Sequence, residues 1–132
     1  MIRKLFIFLP VFIFGCCISC KKDKTINLTT MDGFPDGVMG CSCYFAKNEA
    51  DFKAQKFIYV DSYERNPGYI SVDGELKKID IENSDGKGYE VILDIEKEVQ
   101  MGSELYHKEG TMTVVNERGA VTTTPIYGEC GC

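Results

Sequence analysis

From Val38 to Tyr127, apolar and polar residues alternate in short runs separated by turn residues. The first run, Val38 to Ala46, contains Cys41, Cys43 and Phe45. Phe57-Ile58-Tyr59-Val60 begins a second. Asp73-Gly74 separates Tyr69-Ile70-Ser71-Val72 from Glu75 to Ile81 and supplies the positive φ angles of a tight hairpin turn. Tyr89 to Ile95 places Val91, Leu93 and Ile95 on one face of a strand. Thr111 to Val115 and Ala120 to Tyr127 form a last hairpin. Asn66-Pro67-Gly68 and Asn83 to Gly86 are turn signals. Residues 47–56 read as a loop or one helical turn, and the charged stretch 96–109 takes no assigned element. No segment sustains a helical period. The pattern predicts an all-β domain of about six or seven short strands, a small antiparallel barrel or sandwich with its terminal strands paired.

The first twenty residues follow a different pattern. Arg3 and Lys4 precede an apolar run from Leu5 to Phe14, interrupted by Pro10, and then Gly15, Cys16, Cys17, Ile18, Ser19 and Cys20. The run is short for a bilayer span, which needs about 20 apolar residues. Its basic start, apolar middle and small-residue end have the layout of a secretory signal. With Cys20 following Ile18 and Ser19 and preceding the polar run Lys21, Lys22, Asp23 and Lys24, it resembles the signal peptides of bacterial lipoproteins. Cys17 stands where such signals usually carry Leu, and Cys16 is a second candidate, with bulky Phe14 close before it. The resemblance implies removal of residues 1–19 and lipidation of Cys20, palmitate among the acyl chains. Multiple acylation gives a stable membrane anchor. Lys21 rather than Asp after the cysteine implies the outer membrane by the same resemblance. Residues 20–37 then read as anchor and tether, and 38–132 as a single β domain.

Composition narrows the possible partners. The 132 residues carry 15 Lys and Arg against 20 Asp and Glu, a net charge of −5. That balance argues against a nucleic-acid partner, which would require a basic face. One histidine, His107, excludes a site built from several imidazoles, and it reads as a solvated loop residue. The usual hydrolase signatures are missing, so the chain reads as non-enzymatic, with no cofactor. Tyr59, Tyr63 and Tyr69 read as capping the core or as a surface platform. Glu96, Glu98, Glu104 and Glu109 make the 96–109 stretch acidic and suited to a basic partner or to solvent.

Four of the seven cysteines lie in the β domain, as Cys41-Ser42-Cys43 and Cys130-Gly131-Cys132. Residues two apart on a strand share a face, so each pair presents two sulfurs side by side. If the first and last strands of the domain run antiparallel, Cys41 faces Cys132 while Cys43 faces Cys130. In an oxidising compartment this predicts two disulfides. Each closes nearly the whole domain, on the order of 4–5 kcal/mol by the chain-entropy argument. The alternative is a four-cysteine site for copper or zinc formed by Cys41, Cys43, Cys130 and Cys132. A redox-active disulfide is a further use of the same sulfurs. The function expected is a membrane-anchored cell-envelope lipoprotein with a binding or structural role. The alternatives are metal binding and inhibition of a secreted basic enzyme.

Overall fold

The computed structural model describes residues 25–38, 40–62, 68–79 and 88–132. The segment read as a signal, with Cys16, Cys17 and Cys20, together with Tyr63 and the turn expected at 83–86, lies outside them. Among the described residues no helix is long and apolar enough to cross a membrane.

The chain order is β1 (Leu28–Thr29), β2 (Met31–Asp32), β3 (Ser42–Ala46), α1 (Glu49–Lys53), β4 (Lys56–Phe57), β5 (Tyr59–Ser62), β6 (Gly68–Val72), β7 (Glu75–Ile79), β8 (Tyr89–Gln100), β9 (Leu105–Asn116) and β10 (Val121–Gly131). One antiparallel sheet runs β1-β6-β5-β3-β10-β9-β8, with β7 on β6, and a second small sheet pairs β2 with β4. The sheet is not closed into a barrel. The architecture is all-β and sandwich-like, as the alternating pattern predicts.

The strands are more numerous and less uniform than the expected six or seven short runs. Three are long, and β8 and β9 extend straight through the charged 96–109 stretch. Charged residues hold a strand there because the hairpin pairs their backbones, with Lys97 opposite Glu109 and Glu98 opposite Lys108. Opposite charges facing each other support such a ladder. His107 therefore sits on β9 and not on a loop. The Asp73-Gly74 turn behaves as read, with φ of 52° and 77° at its two residues. Residues 49–53 form the single helical turn, capped by Asn48, whose side chain accepts the Asp51 amide at 2.9 Å.

Part of the stretch read as a tether is packed into the fold. Ile26, Leu28 and Met31 are buried. β1 pairs with the end of β6, and the Ile26 backbone exchanges hydrogen bonds with the Thr122 hydroxyl at 3.0 Å. These three apolar residues, too few to pack alone, fold here by docking on the main body of the sheets.

Alternation places two cores on opposite faces. Phe45, Tyr59, Ile70, Met112, Val114 and Ile126 meet on the inner face, with Ile26 and Leu28 against them. Their neighbours Ala46, Val60 and Phe57 join Met31 on the outer face, under Tyr44, Phe52 and Tyr69. Tyr59 and Tyr69 are thus divided between the two cores, Tyr59 fully buried and Tyr69 half-buried.

At two interior glycines neighbouring strands approach too closely for a side chain. A Cβ on Gly110 would strike the Asp94 carbonyl, and one on Gly128 would strike the Tyr44 carbonyl. Gly110 faces Ile95, where β8 shifts register before Lys97, and Gly128 faces Phe45. A bulge with glycine beside it lets neighbouring strands close up and the sheet coil. The inner face is concave toward its Cys132 end.

Candidate functional site: a disulfide-rimmed cavity

The concave face holds a cavity of about 660 Å³. Three pieces of local structure build it. β3 and β10 pair with Cys43 directly opposite Cys130, and this register brings Cys41 to Cys132 just beyond the strand ends. Both disulfides form, Cys41–Cys132 and Cys43–Cys130, at sequence separations of 91 and 87. They stand one behind the other along one wall. Residues two apart on each strand share the concave face, which is why the two bridges fit side by side.

The floor is apolar. Phe45 is fully buried, and Leu93 and Ile95 on β8 are half-buried beside it. The polar lining comes from Asp61, Tyr106, Lys108 and, near the mouth, Ser103 and Glu104. Asp61 is 3% exposed and accepts the Cys43 amide at 2.9 Å and the Tyr59 hydroxyl. Buried carboxylates persist when donors of this kind satisfy them. Lys108 lies 3.8 Å from Glu98 across the β8–β9 hairpin, so the cavity wall carries one cation with a carboxylate close by. The mouth lies at the Cys132 end, where Ser103, Glu104 and Cys132 are exposed. The Cys132 amide donates to the Glu104 carbonyl at 3.2 Å and ties the end of the chain to the hairpin tip.

The outer face is chemically different. Tyr44, Phe52, Phe57 and Phe34 form an edge-to-face and stacked cluster with ring centroids 5.2 to 6.0 Å apart. The Tyr44 hydroxyl donates to Glu129 at 2.9 Å. Burial, and then this carboxylate, push the Tyr44 hydroxyl up to about 12, because both penalise a phenolate there. His107 packs on Tyr127 at 4.5 Å and lies 3.2 Å from Glu109, which also meets Lys97 at 3.3 Å. The hydrogen bond from His107, followed by that from Lys97, holds the Glu109 carboxyl below its usual range.

Of the residues singled out in the sequence, the four cysteines come together and border the cavity. All four sulfurs are used in disulfides, so the alternative of Cys41, Cys43, Cys130 and Cys132 as thiolate metal ligands does not describe this oxidised domain. Among the described residues no group of His, Cys, Asp and Glu is arranged to hold a metal. The acidic stretch divides: Glu104 borders the cavity, Glu98 and Glu109 meet cations, and Glu96 stays exposed. Sequence reasoning missed Asp61, Tyr106 and Lys108 as lining residues and Gly110 and Gly128 as points of close strand approach. The two interior glycines were the available signal, because glycine inside a strand marks a bend or a close approach.

No protein-family model, curated protein or solved structure matches this chain.

Proposed function

We propose that this chain is a lipid-anchored cell-envelope protein, secured through Cys20, whose β domain binds a small amphipathic molecule in the disulfide-rimmed cavity without catalysing a reaction. The observation that carries the binding role is the cavity itself. Its 660 Å³ falls within the size range of small-molecule sites, and it pairs an apolar floor with a few polar groups near the rim. The floor of Phe45, Leu93 and Ile95 suits an apolar body. Lys108 and Tyr106 suit a polar or anionic end. The disulfides fasten β3 to β10 and fix that one wall before the ligand arrives, which lowers the ordering cost of binding. The resemblance of residues 1–24 to lipoprotein signals supports the anchor, and Lys21 after Cys20 supports an outer-membrane location.

The test uses the oxidised chain with Cys20→Ser, purified from an oxidising compartment without reductant, and the apolar fluorescent probe anilinonaphthalene sulfonate. Saturable binding that Leu93→Trp reduces at least tenfold, by filling the floor, is the expected result. Binding that does not saturate, or that is indifferent to Leu93→Trp in a folded variant, sinks the cavity as the binding site.

A further inference from the structure

Ile26 lies six positions after Cys20 and is fixed in place: it is 5% exposed, its amide donates to the Thr122 hydroxyl, and its carbonyl accepts from that hydroxyl, both at 3.0 Å. Next to it, the Asp73 amide donates to the Asn27 carbonyl at 3.0 Å, and the Gly74 amide to the Thr29 hydroxyl at 2.9 Å. The chain thus enters the fold at the end of the sheet that carries the β6–β7 turn and the β9–β10 turn. The cavity mouth is at the other end, beside Cys130 and Cys132.

Two lengths decide how this domain sits on a membrane. Six residue steps from Cys20 to Ile26 span at most roughly 20 Å even when fully extended. The eight steps along β10 from Thr122 to Cys130 span roughly 27 Å at strand rise. A mouth-down arrangement would lift Ile26 further from the bilayer than the tether reaches. Resting on lipidation at Cys20, we propose that a lipid surface faces the sheet end bearing the β9–β10 turn, with the cavity mouth directed away from it into the aqueous compartment. This end carries exposed Val121, 55% accessible, beside Glu117 and Arg118, so the short tether and not a charged patch sets the orientation. The ligand then exchanges with water and is not drawn from the bilayer. Anchoring at Cys16 would lengthen the reach to roughly 35 Å and remove the constraint.

The chain contains no tryptophan, so a single introduced one is a unique fluorescent donor. Val121→Trp marks the near end, and Met101→Trp, at an exposed position on the tip of the β8–β9 hairpin, marks the far end. The mature lipidated proteins are placed in phosphatidylcholine vesicles containing a dansyl-headgroup lipid, and energy transfer is read with excitation selective for tryptophan. The expected result is several-fold stronger transfer from Val121→Trp than from Met101→Trp, with neither above background when Cys20→Ser removes the anchor. Equal transfer, stronger transfer from Met101→Trp, or background transfer from both lipidated proteins overturns the orientation. Intact mass and vesicle flotation separate these failures from a failure of the underlying reading. A chain without acyl mass on the peptide starting at Cys20 sinks the anchor and the orientation with it.

Discussion

The two faces of this sheet solve the same packing problem by different means. On the outer face, Phe34, Tyr44, Phe52 and Phe57 fill the space under α1 and the β2–β4 pair. On the inner face, side chains fill only one end, around Phe45, Tyr59 and Met112. The other end stays hollow, with two disulfides along its wall. Apolar packing pulls walls together, so a cavity persists only where something else fixes their separation. The disulfides do not set that separation, because β3 and β10 are already paired neighbours; the bend of the sheet does, with strands closing up at Gly110 and Gly128. The outer face is closely packed, and the inner face leaves a cavity.

Breaking the covalent side has the largest expected effect. Replacing all four cysteines by alanine removes both closures, about 6 kcal/mol in all by the chain-entropy argument. The two bridges do not contribute independently. With Cys43–Cys130 intact, Cys41–Cys132 closes a ring of only a few residues. Losing either bridge alone therefore costs about 2 kcal/mol, and their joint loss exceeds the sum of the single losses. Denaturant midpoints of the two paired variants and the fourfold variant measure this directly. Simple additivity would show that the two closures do not share a loop.

On the outer face, Phe57→Ala removes a fully buried ring at the centre of the aromatic cluster and should cost about 3–5 kcal/mol. It should leave probe binding in the cavity nearly unchanged, because the ring lies on the other side of the sheet. Loss of binding in a variant that is still folded would show that the faces are coupled. Gly128→Ala comes next, at about 1–3 kcal/mol, since the new methyl group must displace the Tyr44 carbonyl or the Phe45 ring. It should also weaken probe binding by relaxing the curvature, and thermal unfolding and probe titration read the two effects separately.

The smallest effects are electrostatic and confined to the outer face. Tyr44 is raised from 10.0 to about 12 in the folded state, so its neutral form is favoured there. Its contribution is fully present below pH 10 and is lost as pH rises from 10 towards 12. Tyr44→Phe should flatten that alkaline fall in the unfolding midpoint; an unchanged slope would assign the fall to other groups. Glu109 has the opposite sign. Its lowered carboxyl contributes above the usual carboxylate range, and that contribution fades as pH falls through it. Exposure keeps it small, and Glu109→Gln should remove only a minor part of the acid sensitivity.

Local patterns were read correctly where the chain carries the cause within a few residues. The Asp73-Gly74 hairpin, the 111–127 hairpin and the division of side chains into two faces all follow from turn chemistry and a period of two. The 96–109 stretch was opaque because its charges satisfy one another across a hairpin, a relation between residues ten or more apart. Ile26, Leu28 and Met31 fall in a stretch that reads as a tether because their partners belong to β10, β6 and β4. Lys108 and Asp61 gave no sign of sharing a wall, since only the coiling of the sheet brings β9 and β5 to one concavity.

The sequence by itself determined the strand class, the shared face of each cysteine pair and the register that lets them meet, because alternation and an antiparallel ladder leave little freedom once the first and last strands of the β domain pair. Tertiary structure alone decided that this face is hollow. Whether facing side chains meet or leave a space depends on how far the sheet bends; glycines inside strands hint at a bend, but which strands close up there, and by how much, is decided by pairing between distant segments.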